Sequence, residues 1–340
     1  MTSKMLEEAQ SSCEAVERQL INLDPYLVDL ARELRASPPD VAMTLARGSS
    51  DHAASYFAYL TMQHIGVPVA SLPMSVVTLR RSPLRVKGQA VFAFSQSGQS
   101  PDLIDSLRLL RERGALSVAL VNAEHSPLEE ASAYTLPLCA GAEYSVAATK
   151  SFIATLSASA RLMAHWANDK ALLEAGHLLP VGLRDACSQD WSKAIDTLRD
   201  AQRLLVIGRG AGFAIAQEAA LKLKETSTLQ AEAFSSAEVR HGPMALIDEN
   251  YPLLIFAPRG VEQAGLLTLA HDMRQRGARV LLAAPSDVPD RDLTLSQAAH
   301  PDLDPILAIQ SFYVMAAALA EARGLDPDQP RFLSKVTRTH

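Results

Sequence analysis

Short apolar runs recur along the chain, separated by longer stretches with apolar residues at every third or fourth position. Val41 to Ala46, Val91 to Phe94, Leu116 to Val121, Leu136 to Cys139, Leu253 to Phe256 and Val280 to Ala284 are too short for helices and do not alternate with polar residues. Such runs predict strands buried on both faces, and the helical stretches between them predict the covering layers: a doubly wound parallel α/β architecture.

The pattern occurs twice. Leu45-Ala46-Arg47-Gly48-Ser49 is echoed by Ile207-Gly208-Arg209-Gly210-Ala211. At the same offset, Val91-Phe92-Ala93-Phe94 followed by Gly98 matches Leu253-Leu254-Ile255-Phe256 followed by Gly260. With one residue of slippage, Arg111-Glu112-Arg113-Gly114-Ala115 matches Arg274-Gln275-Arg276-Gly277-Ala278, each ending a helix on glycine. Three landmarks in one order indicate a duplication, with α/β domains over residues 36–170 and 194–325. The connector 171–193 reads as helical, with a turn at Pro180 and Gly182. Residues 1–35 carry a helical stripe through Met5, Leu6, Ala9, Val16, Leu20 and Ile21, and residues 326–340 read as an extended tail after Asp326-Pro327-Asp328-Gln329-Pro330.

Composition narrows the partners. A chain of 340 residues, 48% hydrophobic and 21% charged, is long enough for two cores. Its net charge of −6 is spread over interspersed residues, so no nucleic-acid partner is expected. Cys13, Cys139 and Cys187 lack metal-ligand spacing and read as packing residues of a reducing compartment. Met1 to Arg18 has no signal-peptide pattern, and Ile306 to Ala320, interrupted by Gln310 and Ser311, reads as a buried helix too short to span a bilayer. A cytoplasmic protein with no membrane role is the expectation.

Candidate chemistry gathers at loops that follow strands. Ser95-Gln96-Ser97-Gly98-Gln99-Ser100 lies between a strand and a helix opening at Pro101, where free backbone N–H groups favour an anion, here a phosphate. It has neither the lysine of a nucleotide-binding loop nor a dinucleotide fingerprint. The bland reading is that Ser100 only caps the helix. Ala257-Pro258-Arg259-Gly260, the counterpart in the second half, has no hydroxyls, so one phosphate pocket per chain is expected. Gly48-Ser49-Ser50 and the segment Glu143 to Lys150 follow two other strands and should open on the same rim as the serine loop. Glu218, Lys222 and Glu225 share one helical face, either a solvated salt-bridged face or a proton-transfer site. His241-Gly242-Pro243 is a turn that would present an imidazole. A carboxylate moving a proton between carbons and a histidine serving oxygen are what opening and isomerising a cyclic sugar require.

These residues carry a resemblance. Ser95 to Ser100, Glu143 to Phe152, Ala220 to Glu225, Ala231-Glu232-Ala233, His241-Gly242-Pro243, Asp328-Gln329-Pro330-Arg331 and Leu333-Ser334-Lys335 resemble the isomerase half of glucosamine-6-phosphate synthase, a double sugar-isomerase (SIS) domain protein. The likeness runs from about residue 35 to the end, and in organisation it is nearest to stand-alone SIS-type glucosamine-6-phosphate deaminases. It implies that Ser95, Gln96, Ser97 and Ser100 hold the phosphate and that Ser50 and Val146 touch the sugar. It also implies that Glu225 shuttles a proton between C2 and C1 with Lys222 in support, and that His241, reaching in from a neighbouring subunit of a homodimer, opens the ring. Lys335 would close over the sugar and could form an imine with the open-chain ketose.

Ala148 stands where the synthase has serine, and Ser100 where it has threonine. The chain starts Met1-Thr2-Ser3 without a glutaminase domain, so the implied reaction is the ammonia-releasing one: glucosamine-6-phosphate to fructose-6-phosphate, with no metal or organic cofactor. Alternatives are a deglycase for phosphorylated fructosamines, a galactosamine-6-phosphate deaminase, and a non-catalytic sugar-phosphate sensor.

Overall fold

The computed structural model describes residues 2–335. Three helices open the chain: α1 (Lys4–Gln10), α2 (Ser12–Asn22) and α3 (Asp24–Ala36). There follow β1 (Ala42–Leu45), α4 (Ser49–His64), β2 (Val69–Ser71), α5 (Met74–Thr78), β3 (Ala90–Ser95), α6 (Pro101–Glu112), β4 (Leu116–Val121), α7 (Pro127–Ala131) and β5 (Tyr134–Pro137). Helices α8 (Lys150–Ala167), α9 (Lys170–Cys187) and α10 (Ser192–Leu198) lead to the second sheet. It is built from β6 (Arg203–Gly208), α11 (Ala211–Ser227), β7 (Gln230–Ser235), β8 (Pro252–Phe256), α12 (Gln263–Gln275), β9 (Arg279–Pro285), β10 (Leu293–Leu295) and α13 (Asp304–Ala322).

Both sheets are five-stranded and parallel, and they have the same topology. The first runs β2-β1-β3-β4-β5; the second, read from β7, runs β7-β6-β8-β9-β10. The matched helix ends are also alike. Gly114 and Gly277 take left-handed φ values of 88° and 84°. Ala115 N–H bonds Leu110 O at 3.2 Å, and Ala278 N–H bonds Met273 O at 3.1 Å, closing the same six-residue cap on α6 and α12.

Contacts divide the chain into two compact units. One comprises Glu14–Glu143, Lys150–His177 and Ser334–His340 and holds the first sheet; the other comprises Met1–Cys13, Tyr144–Thr149 and Leu178–Leu333 and holds the second. In the first-sheet unit, Leu45, Val91, Ala93 and Val121 pack beneath α5, α6 and α7, while Phe92 and Phe94 point to the opposite face and meet Phe57 of α4, with ring centroids 4.6 and 5.5 Å apart. In the second-sheet unit, Leu205, Ile207, Leu253 and Ile255 pack under α12, and Phe256 on the other face meets Trp191 and Phe312 of α13 at 6.2 and 6.3 Å. Burial on both faces is why these strands lack alternation.

The structure corrects several expectations. The single helical stripe of the N-terminal segment is split into the three helices α1 to α3, because Ser11 and Ser12 turn their hydroxyls onto the carbonyls of Glu8 and Ala9 and end α1, and Pro25 opens α3. The turn expected at Pro180 and Gly182 is absent: α9 runs through both. Its buried Leu172, Ala175, Leu179, Leu183 and Ala186 keep one helical stripe, and Gly182 lets the helix lie close to Leu307, 3.0 Å from where a Cβ would be. The apolar run of α13 extends to Ala322 and is long enough to cross a membrane by length and composition alone, but 89% of its apolar window is buried.

Candidate active site

In an open parallel sheet a ligand crevice forms where consecutive connections leave in opposite directions. In the first sheet that point lies between β1 and β3, and the loops beyond their carboxyl ends are Gly48 to Ser50 and Ser95 to Ser100. Gly48, the residue before α4, has φ 56° and no side chain to cap the helix; Ser100, before α6, makes no capping bond with its hydroxyl. The capping reading of Ser100 therefore falls away; at the start of α6 Pro101 has no N–H and Asp102 Oδ1 accepts the Leu103 N–H at 2.9 Å, so the serine loop ahead of the helix, and the uncapped start of α4, are what face an anion. The loop shapes itself: Ser95 Oγ accepts the Gly98 N–H at 3.0 Å, and Ser97 Oγ accepts the Gln99 N–H at 3.3 Å. Gly98 has φ 63°, and a Cβ there would collide with Ser126. Arg47 ties the two loops together through a 3.0 Å contact with buried Asp102. Beside Ser50, burial pushes the Asp51 carboxyl above its ordinary value, against the pull of His52 and Arg47.

In the same unit the tail lysine is engaged. Lys335 Nζ donates to Glu143 Oε2 at 2.9 Å. The Glu143 carboxylate also accepts the Ser151 N–H at 3.1 Å and the Ser151 hydroxyl at 2.7 Å, so the start of α8 and the tail share one buried acid.

In the second-sheet unit, α11 carries a buried acid-base row. Lys222, 1% exposed, contacts Glu225 and lies 3.5 Å from fully buried Glu218, which also accepts the Tyr313 hydroxyl at 3.0 Å. Glu225 alone of the three keeps access to solvent, its side chain 18% exposed. The row is thus not the solvated face that its spacing also allowed. His241 is exposed at the end of a 3₁₀ turn, Glu238–His241, that Gly242 terminates with φ 148°. Val146 is half-buried on the irregular segment Tyr144–Thr149.

The corresponding crevice of the second sheet, between β6 and β8, is furnished from within. The Glu262 carboxylate lies against Gly210 and Gly260, 2.6 and 3.0 Å from where their Cβ atoms would be. Arg259 is turned away, with Nε and Nη2 on the two Asp304 oxygens at 2.7 and 2.8 Å and Nη2 also on Ala298 O at 2.6 Å. An internal carboxylate thus occupies the place that corresponds to the serine loop of the first unit.

Ser50, Ser95, Gln96, Ser97, Ser100 and Lys335 therefore belong to the first-sheet unit, and Val146, Lys222, Glu225 and His241 to the other. The segment carrying Val146, expected on the rim of the first sheet, clusters with the second-sheet unit. Sequence reasoning passed over four features. Glu143 and Arg47 were read only as parts of loops, the Tyr313 contact of Glu218 spans 95 positions, and Glu262 lies just beyond the turn examined for hydroxyls.

Comparison with known proteins adds to this geometry. The SIS domain is matched over residues 40–164 and 197–289. The glutamine–fructose-6-phosphate aminotransferase (isomerizing) of Gluconobacter oxydans is 32% identical over 317 residues, covering 88% of this chain and 52% of that protein, so the chain spans about half the length of this relative. A protein of Silicibacter pomeroyi DSS-3 assigned to the phosphosugar isomerases is 40% identical, with a TM-score of 0.91 over 96% of this chain and 100% of that one. The glucosamine-6-phosphate deaminase of Thermotoga maritima has the same fold, with a TM-score of 0.78 at 21% identity over 99% of this chain and 100% of that one.

Proposed function

The chain belongs to the SIS domain family, and from that membership we propose that it is a glucosamine-6-phosphate deaminase, forming fructose-6-phosphate and ammonia. The observation that carries the reading is the row on α11. A carboxylate that must move a carbon-bound proton has to be ionised, aimed and reachable. Glu225 is held by the Lys222 ammonium, which Glu218 meets from behind with the Tyr313 hydroxyl donating to that acid, and it alone of the row is accessible.

In this reading the sugar's phosphate is held by Ser50, Ser95, Gln96, Ser97 and Ser100 at the loops that lead into α4 and α6, and Val146 lies along the sugar. His241, on its exposed turn, assists ring opening; as part of the proposal it serves the neighbouring subunit of a cytoplasmic homodimer. Glu225 takes the C2 proton and returns it to C1, leaving an imine at C2 and a hydroxymethyl at C1. Water adds to the imine carbon and ammonia leaves, so the aminosugar and one water become ketose and ammonia. Lys335, paired with Glu143, offers a cation near the substrate, and its amine must leave that pair before it can attack a carbonyl.

The test is a substrate comparison with the purified protein, using glucosamine-6-phosphate, galactosamine-6-phosphate and a 6-phosphorylated fructosamine. Ammonia and fructose-6-phosphate in equal amounts from the first substrate, at the highest kcat/KM of the three, are expected. Ammonia from neither aminosugar phosphate would overturn the reading.

A further inference from the structure

Helix α1 contributes no strand partner and no residue to the proposed chemistry, yet it is fastened at both ends. Asp328, ahead of the tail lysine, accepts the backbone N–H groups of Lys4 and Met5 at 2.8 and 2.7 Å. At the other end Gln310, fully buried in α13, donates to the carbonyl of Ala9 at 2.8 Å. Met5 and Ala9 between them are fully buried. A helix held in this way cannot turn about its axis, so the direction of each of its side chains is set.

One of those side chains reaches the segment that carries Val146. Glu8, only 6% exposed, accepts the Tyr144 N–H on Oε1 and the Ser145 N–H on Oε2, the second at 3.1 Å. Residues 144–149 form neither strand nor helix, so their backbone donors need partners from elsewhere in the fold. A carboxylate giving one oxygen to each of two successive amides fixes both peptide planes just ahead of Val146.

We propose that Glu8 is a positioning residue for the sugar-binding segment, and that α1, clasped by Asp328 and Gln310, is the brace through which it acts. The proposal rests on the reading of Val146 as a sugar contact. It assigns a role in substrate affinity to a residue far from the reacting groups in sequence.

Glu8→Gln keeps the size of the side chain but sets an amide NH₂ against a backbone N–H. Two readouts follow: hydrogen exchange of the Tyr144 and Ser145 amides without ligand, and calorimetric affinity for fructose-6-phosphate. Both are expected to change by about tenfold to a hundredfold, the weight of one charge-assisted hydrogen bond, with faster exchange confined to residues 144–149 and weaker binding. Asp328→Ala, which loosens the start of α1 without touching the segment, is expected to move both readouts in the same direction by less, and it serves if Glu8→Gln does not fold. A lowered melting temperature with unchanged local exchange would overturn the proposal. Faster exchange with unchanged affinity would overturn it as well, by showing that the brace does not act on the sugar. If the wild type binds no fructose-6-phosphate, the functional reading fails, and the exchange data alone then decide whether Glu8 holds the segment.

Discussion

Lys222 is an ammonium taken almost wholly out of water, with 1% of its side chain exposed. Such a group is retained only when opposite charge and hydrogen bonds offset its lost hydration, and here Glu218 and Glu225 supply both. Removing the cation strands the other side: Glu218 would be left fully buried with the Tyr313 hydroxyl but without its counter-charge. Lys222→Ala is therefore expected to lower unfolding free energy by about 3–5 kcal/mol, read as a fall in the urea midpoint at unchanged slope. Glu225→Gln, which keeps shape and hydrogen bonding at the accessible end of the row, should unfold close to wild type. Equal midpoints for Lys222→Ala and wild type would show that the row is not electrostatically coupled. The spacing of these three residues was legible in the sequence, but their burial was not. What covers them is α13, packed on α11 from far along the chain, and local periodicity carries no record of such a partner.

Among the elements, α8 is buried on nearly every side and ends in a charged cluster. His165, in its last turn, lies 3.5 Å from Asp24, beside Arg161 and Arg35. Burial lowers the pKa of the imidazole below its ordinary 6.5; Asp24 pulls it up, and the two arginines add to the lowering. A base with a depressed pKa in the folded state contributes stability that is fully present above its unfolded value and is lost as pH falls through the lowered one. Chemical unfolding at pH 7.5 and at pH 5 should therefore show a larger loss of stability for the wild type than for His165→Gln. Equal losses would contradict this account of the helix end. The same scale shows where element boundaries escaped the sequence. Pro180 is a strong local breaker, and the continuous helix through it rests on a tertiary contact, the close approach of Gly182 to Leu307. The short α5 is likewise secured by packing, since Met74 and Val77 are buried against the first sheet's core.

At the scale of the molecule, the duplication was the most legible feature, because three landmarks recur in order and the two sheets share one strand order. Their divergence was legible only in part. The missing hydroxyls of the second turn were visible, whereas the carboxylate of Glu262 that occupies the corresponding crevice needed coordinates. The compact units also depart from chain order: α1 and residues 144–149 join the second-sheet unit, a partition set by long-range contacts such as Glu8 to Tyr144. The family membership supports an enzyme of the phosphosugar isomerase kind, and the proposed reading assigns the phosphate to the serine loop of the first repeat and the base to Glu225 of the second. The most direct test is turnover of glucosamine-6-phosphate by wild type beside Glu225→Gln, with each protein's affinity for fructose-6-phosphate measured in parallel. The account predicts that ammonia release falls by about 10²–10⁴-fold in the variant while affinity is retained, the signature of a lost general base in an intact site. Ammonia release by Glu225→Gln at the wild-type rate would contradict it.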